Sequence, residues 1–168
     1  VTLPLEVSML KLQQTTTGRG VVATQMLQKH ATVCSYEGLV TRDLKGELEQ
    51  YLLQIAPGFY LRPKKMPDPK KAEDFPWFIN HSCKPNTKIK IAGRNAALIA
   101  IKHIMPGDQI TFDYSVSQID PWSMICMCDS STNSCRQLIG PASSLPLYLK
   151  IKYLVGKTFP PYVVKTLF

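Results

Sequence analysis

The sequence predicts a mostly β domain with few short helices, and three observations carry that reading. Apolar residues fall in short segments with β-branched content rather than in long runs at helical spacing. Thirteen prolines and nine glycines punctuate those segments. The stretch 86–104, NTKIKIAGRNAALIAIKHI, alternates apolar and polar residues on both sides of a turn-forming AGRN, which reads as a β-hairpin.

Taken in order, LPLEVSMLKL (3–12) and GVVATQML (20–27) have strand composition, and QQTTTGRG (13–20) between them has loop chemistry. ATVCSYEGLV (31–40) reads as another strand, ending at Gly38. DLKGELEQYLLQI (43–55) is the best helical candidate, although its Tyr-Leu-Leu end suits an extended chain equally well. The run APGFYLRPKKMPDPKK (56–71) holds four prolines, which exclude a continuous helix and predict a loop-rich insertion over 62–77. MPGDQITFDYS (105–115) follows the hairpin as a turn and a strand. Pro160 and Pro161 close off any long helix in the tail, 142–168, which is expected to pack on the outside of the domain. The alternative is a tail that lies over the site and lends it Tyr148, Tyr153 or Phe159.

A chain of 168 residues with 45% hydrophobic content suits one domain with a real core. No segment approaches the roughly 18–20 apolar residues of a membrane helix. Glu6 also stands where a secretory signal would be apolar, so the expectation is a soluble, intracellular protein with no membrane partner. The net charge of +8 lies almost wholly in 62–71 and 130–168, while 72–129 is slightly acidic. Those basic segments are either solvated surface or a contact for nucleic acid, nucleosomes or acidic proteins. Neither has a base-reading pattern.

Cys126, Cys128 and Cys135 form C-x-C-x6-C within CMCDSSTNSC. A closed structural zinc site takes four soft ligands. Of the two remaining thiols, Cys34 sits in an apolar strand as a core residue would, which leaves Cys83 as the better fourth ligand. Disulfides or unrelated free thiols are the alternative, which an odd cysteine count without a secretion signal disfavours. If Cys83 meets the distal triplet, the NHSC stretch at 80–83 is pinned under a metal-knotted segment. Asn80 and His81 are then left to bind what that segment covers.

GRG at 18–20, YLLQI at 51–55, FINHSCKPN at 78–86, GDQITFDY at 107–114 and the cysteine segment together resemble, in order, the signature of SET-domain protein-lysine methyltransferases with a post-SET zinc segment. The likeness spans about residues 5–140. It implies a β-clip fold of small sheets with knot-like C-terminal threading, a SET domain over 1–122 and a zinc segment over 123–141. It implies S-adenosylmethionine as co-substrate, structural zinc on Cys83, Cys126, Cys128 and Cys135, and cofactor contacts from Arg19, Gly20, Val21, Tyr51, Asn80 and His81. Tyr114 takes the position of the catalytic tyrosine, with a general-base role for His81 as the lesser alternative. Phe112 takes the position that governs how many methyl groups fit, and its lack of a hydroxyl predicts di- or trimethylation.

The implied substrate is a protein lysine, with a histone tail leading and a non-histone protein as the alternative. The implied compartment is the nucleus rather than the cytoplasm. A chromatin- or nucleic-acid-binding module that keeps the fold without the chemistry is the competing reading, and the presence of Tyr114, Asn80 and His81 weighs against it. A nucleotide-fold methyltransferase is excluded by the lack of a strand, Gly-rich turn and helix with GxGxxG spacing. The sequence departs from the family pattern at Trp77, where arginine is common, at Asp108-Gln109, and in the six-residue second gap of the cysteine triplet.

Overall fold

Twelve short strands are present among the described residues of a computed structural model, which are 9–16, 18–128 and 135–168. In chain order they are β1 (Leu10–Thr15), β2 (Gly18–Ala23), β3 (Thr32–Tyr36), β4 (Leu39–Thr41), β5 (Leu53–Ala56), β6 (Phe59–Arg62), β7 (Asn80–His81), β8 (Thr87–Ala92), β9 (Asn95–Ala100), β10 (Thr111–Phe112), β11 (Met124–Ile125) and β12 (Leu138–Ile139). They form five small sheets: β1–β2, β3–β9–β8, β4–β6–β5, β11–β12, all antiparallel, and the parallel pair β7–β10.

The predicted hairpin is present as β8 and β9, with Gly93 at φ 62° in its turn, a backbone region that glycine enters freely. The expected loop 13–20 is shorter than its composition implies, because Gln13–Thr15 and Gly18–Gly20 are themselves paired, Thr15 opposite Gly18. The helix expected over 43–55 does not form. Only a single 3-10 turn, Glu49–Tyr51, appears there. Gly46 at φ 114° breaks the run, and Leu53 and Ile55 are drawn into the sheet, where both are buried. The extended alternative for the end of that segment is the one adopted. In the Pro/Lys-rich region, Ala72–Phe78 forms a 3-10 helix around Pro76.

The tail folds as α1 (Leu147–Val155) and α2 (Pro161–Leu167), separated at the expected prolines. It is more than an exterior cover. Leu149, Tyr153, Phe159 and Val163 join the main core. The Tyr162 hydroxyl donates to the carbonyls of Gln54 and Ser117 at 2.9 and 2.5 Å, and Lys88 donates to those of Gly156 and Lys157 at 3.2 and 3.1 Å. Among the described residues no helix is long and apolar enough to cross a membrane.

Candidate functional site

The pair β7–β10 sets Asn80 beside Thr111 and His81 beside Phe112, so two motifs thirty residues apart become one seam. The seam is locked from both flanks. Asn86 donates its amide to Gln109 O at 2.8 Å and accepts from Thr111 N at 3.0 Å, and Ser82 N donates to Phe112 O at 3.1 Å.

An open cavity of about 500 Å³ lies against this seam, walled by Tyr51, Leu53, Trp77, Ile79, Phe112 and Tyr114. The Tyr114 ring stands 4.9 Å from Phe112 and 5.4 Å from His81, centroid to centroid. Its hydroxyl donates to Ile79 O at 2.7 Å, which fixes the phenol at the wall. Burial pushes that phenol well above the ordinary tyrosine range, against a smaller downward pull from His81, so it stays neutral. Trp77 fills its non-arginine position by packing edge-on against Tyr36 at 5.1 Å. Aromatic packing thus braces the segment where a charge is common in the family.

Glu49 and Asp120 also line the cavity, and among the described residues neither lysine nor arginine does. Asp120 is held by the Tyr60 hydroxyl and by Gln54 Nε2, the latter at 2.8 Å. Trp122 has a buried indole N–H with no partner among the described residues.

On the other flank, Gly20 is packed so closely that an added Cβ would collide with the side-chain amide of Gln109 and come within 3.0 Å of that of Asn80. Asn80 donates to Arg19 O at 3.0 Å, while Gln109 Nε2 is buried without a hydrogen-bond partner among the described residues. Arg19 lies over Phe78 at 5.2 Å. Val21 is fully buried in the core with its carbonyl bonded to Ile110 N at 2.8 Å, so its side chain offers no contact surface. A glycine cradle beside an orphaned amide donor fits the amino-acid end of S-adenosylmethionine, whose carboxylate needs close donors.

The structure brings Cys83 to the distal cysteines in a chain of sulfur contacts. Cys83 Sγ lies 3.7 Å from Cys126, Cys126 lies 3.2 Å from Cys128, and Cys128 lies 3.6 Å from Cys135. A tetrahedral zinc with bonds of about 2.3 Å would separate its sulfurs by roughly 3.8 Å, so the cluster fits that ion with small adjustment. Cys34 is buried in the core, as expected.

His81 also comes within 4.8 Å of the Cys83, Cys126 and Cys128 donors. Its Nδ1 accepts the Tyr114 N–H at 3.2 Å. A neutral ring therefore carries its proton on Nε2, which faces Cys83 Sγ at 3.3 Å. His81 thus donates to the Cys83 sulfur, and the donors that all lie within 4.8 Å of one another are those of His81, Cys83, Cys126 and Cys128. With both nitrogens engaged, the ring has none left for general-base work. Burial raises the Cys83 thiol, but bonds from His81 and from the Arg136 N–H groups outweigh it and bring it to about 6.

Sequence reasoning missed the group that ties these parts together. Asp113, 1% exposed, accepts from Arg136 at 2.6 Å, from Tyr153 at 2.8 Å and from Ser115 N at 3.1 Å. Asp113 lies inside TFDY and Arg136 directly follows Cys135, so adjacency to motif residues was their signal; Tyr153 is one of the three aromatics that a tail over the site was expected to lend, though not for a bond to Asp113.

Residues 18–115 match the SET domain family. The chain belongs to that family. It is 32% identical over 145 residues to the probable histone-lysine N-methyltransferase set-23 of Caenorhabditis briggsae, covering 77% of this chain and 59% of that protein. It is 30% identical over 146 residues to the counterpart in Caenorhabditis elegans, covering 77% and 58%. The chain thus spans somewhat over half the length of these relatives. Among solved structures, KRYPTONITE in complex with mCHH DNA, an H3(1-15) peptide and SAH superposes with a TM-score of 0.56 at 23% identity, covering 77% of this chain and 29% of that one. That likeness shows the shared fold.

Proposed function

We propose that this chain is an S-adenosylmethionine-dependent protein-lysine N-methyltransferase acting on histone lysine. The observation that carries the proposal is the neutral phenol of Tyr114, fixed by Ile79 O against an aromatic cavity in a chain of the SET family. The relatives named as histone-lysine N-methyltransferases support the substrate class, and action on chromatin implies the nucleus.

In this reading the sulfonium supplies the methyl group, and the new N–C bond forms as the C–S bond breaks. The chain's own residues prepare the amine. An apolar passage disfavours the ammonium form of a lysine whose ordinary pKa is about 10.4. Tyr51, Phe112 and Tyr114 restrict its approach to one line, and such positioning lowers the barrier. Gly20, Asn80 and Gln109 hold the cofactor's amino-acid end, with Arg19 and Val21 contributing backbone and His81 its own. Phe112 carries no hydroxyl to retain a water, which leaves room for an already methylated amine, so the product is di- or trimethyllysine.

Cys83 and three thiols of the 123–141 segment, Cys126, Cys128 and Cys135, hold a zinc that braces the site. The carboxylates of Glu49 and Asp120, unopposed by any basic residue among the described residues of the cavity wall, favour a basic peptide. The basic residues of 62–71 and 136–165 are left to meet nucleosomal DNA without sequence preference.

The test is incubation with labelled S-adenosylmethionine and a panel of histones, nucleosomes and cell extract, with Tyr114→Phe alongside, read by intact mass. Histone mass gains of two or three methyl groups, lost by roughly 100-fold or more in the variant, are expected. No transfer to any protein would overturn the activity. A product arrested at one methyl group would overturn the role of Phe112, and transfer to peptide and nucleosome that is equally insensitive to salt would overturn the DNA contact.

A further inference from the structure

The family match ends at residue 115, yet hydrogen bonds around the site run well past it. Asp113, next to Tyr114, is almost wholly buried, and its two carboxylate oxygens are spoken for by different segments. Oδ1 takes Arg136 at 2.6 Å and Ser115 N at 3.1 Å, and Oδ2 takes the Tyr153 hydroxyl at 2.8 Å. Arg136 turns from there to Cys83, donating its backbone N–H and its Nε at 3.4 and 3.5 Å. Cys83 meets His81 at 3.3 Å, and His81 accepts the Tyr114 N–H at 3.2 Å. The circuit closes on the residue beside which it began, and α1 contributes one member of it.

We propose that Tyr153, on the tail helix α1, is a positioning residue for methyl transfer: by satisfying Asp113 it fixes the backbone of Tyr114 on one side and the Arg136–Cys83 contact on the other. The proposal rests on the methyltransferase reading for its kinetic consequence and on geometry alone for its effect at the thiol cluster. A buried carboxylate that loses a donor must rotate, recruit water or draw on its remaining partners, and each of those moves disturbs Arg136 or Ser115. Tyr153 is therefore coupled to two sites it does not touch. The ring also packs edge-on against Phe159 at 5.7 Å, a contact that phenylalanine would keep, so the hydroxyl can be removed without emptying the core.

The experiment compares wild-type protein, Tyr153→Phe and Lys88→Ala. Lys88 is another of the tail's polar tethers, bonded to the carbonyls of Gly156 and Lys157, and it neither bonds to Asp113 nor lines the cavity. Steady-state kinetics on histone and the rate of zinc loss to a chromogenic chelator are measured for each. For Tyr153→Phe the expected result is a kcat roughly tenfold lower, KM for both substrates within about twofold of wild type, and zinc loss several-fold faster. Lys88→Ala should match wild type in both assays. Wild-type behaviour of Tyr153→Phe overturns the proposal, as does an equal fall in the two variants, which would reduce the tail to packing. Should wild-type protein transfer no methyl group at all, the methyltransferase reading fails by itself, and the zinc-loss comparison then decides the role of Tyr153.

Discussion

The aromatic cavity, which Ile79 walls, and the thiol cluster, which Cys83 joins, adjoin one short stretch of chain, but different forces hold them. The cavity is walled by side chains that already belong to sheets and 3-10 turns: Tyr51 against Phe78, Trp77 against Tyr36, Phe112 against Tyr114. Its polar contacts are few and mostly to backbone. The cluster has little packing of its own. β11 and β12 are two residues each and largely exposed, and what fixes the thiols is a chain of directed bonds through Arg136, Asp113 and His81. Packing is non-directional and degrades by increments when one side chain changes, whereas a buried polar network loses much of its worth when one member goes. The cavity should thus tolerate single changes better than the cluster that braces it.

Metal removal should break that contrast most visibly. Exhaustive chelation is expected to lower Tm by more than about 10 °C, since 1 kcal/mol is worth about 2–4 °C in a domain of this size and a structural zinc contributes folding energy outright. Methyl transfer should fall by at least roughly 100-fold with it, and both should return on adding zinc back. A chelated protein that kept its activity would mean that the cavity stands without the cluster. A smaller effect is expected from Gly20→Ala. The new Cβ would displace the amides of Gln109 and Asn80, so calorimetry should give a roughly tenfold weaker affinity for S-adenosylhomocysteine, equivalent to about 1.4 kcal/mol, with zinc content unchanged. Loss of zinc in that variant would show that the two halves are not separable.

The same contrast explains what the sequence made legible. Alternation in 86–104 predicted β8 and β9 because both strands bury one face and expose the other. The ordered motifs and the cysteine spacing marked Tyr114, Asn80 and the four thiols because the chemistry restricts residue type at those positions. The region 43–55 misled because its helical spacing was overridden by Gly46 and by the sheet that claims Leu53 and Ile55. Two-residue strands such as β7 and β10 have no period to detect. Asp113, Arg136 and Tyr153 come from three segments joined only in the folded chain, and nothing local requires Tyr153 to be more than one aromatic in an apolar helix.

The mildest test is pH, and it should act on the two regions at opposite ends of the scale. The Cys83 thiol, brought to about 6 by its neighbours in spite of burial, is a thiolate at neutral pH. Burial raises the Cys126 and Cys128 thiols instead, and each thiol must shed its proton to hold zinc, so zinc retention measured by chelator should fall as pH is lowered. Tyr114 behaves in the reverse sense. Because burial raises its phenol above the ordinary value of about 10, it remains a neutral donor throughout the alkaline range where a free tyrosine would begin to ionise. The target lysine, meanwhile, sheds its proton progressively as pH approaches about 10.4. The kcat/KM for methyl transfer should then climb with pH up to about 10 with no descending limb. A fall that sets in near pH 9 while zinc stays bound would mean that the Tyr114 phenol is reached by water, and that the cavity is held more loosely than its packing implies.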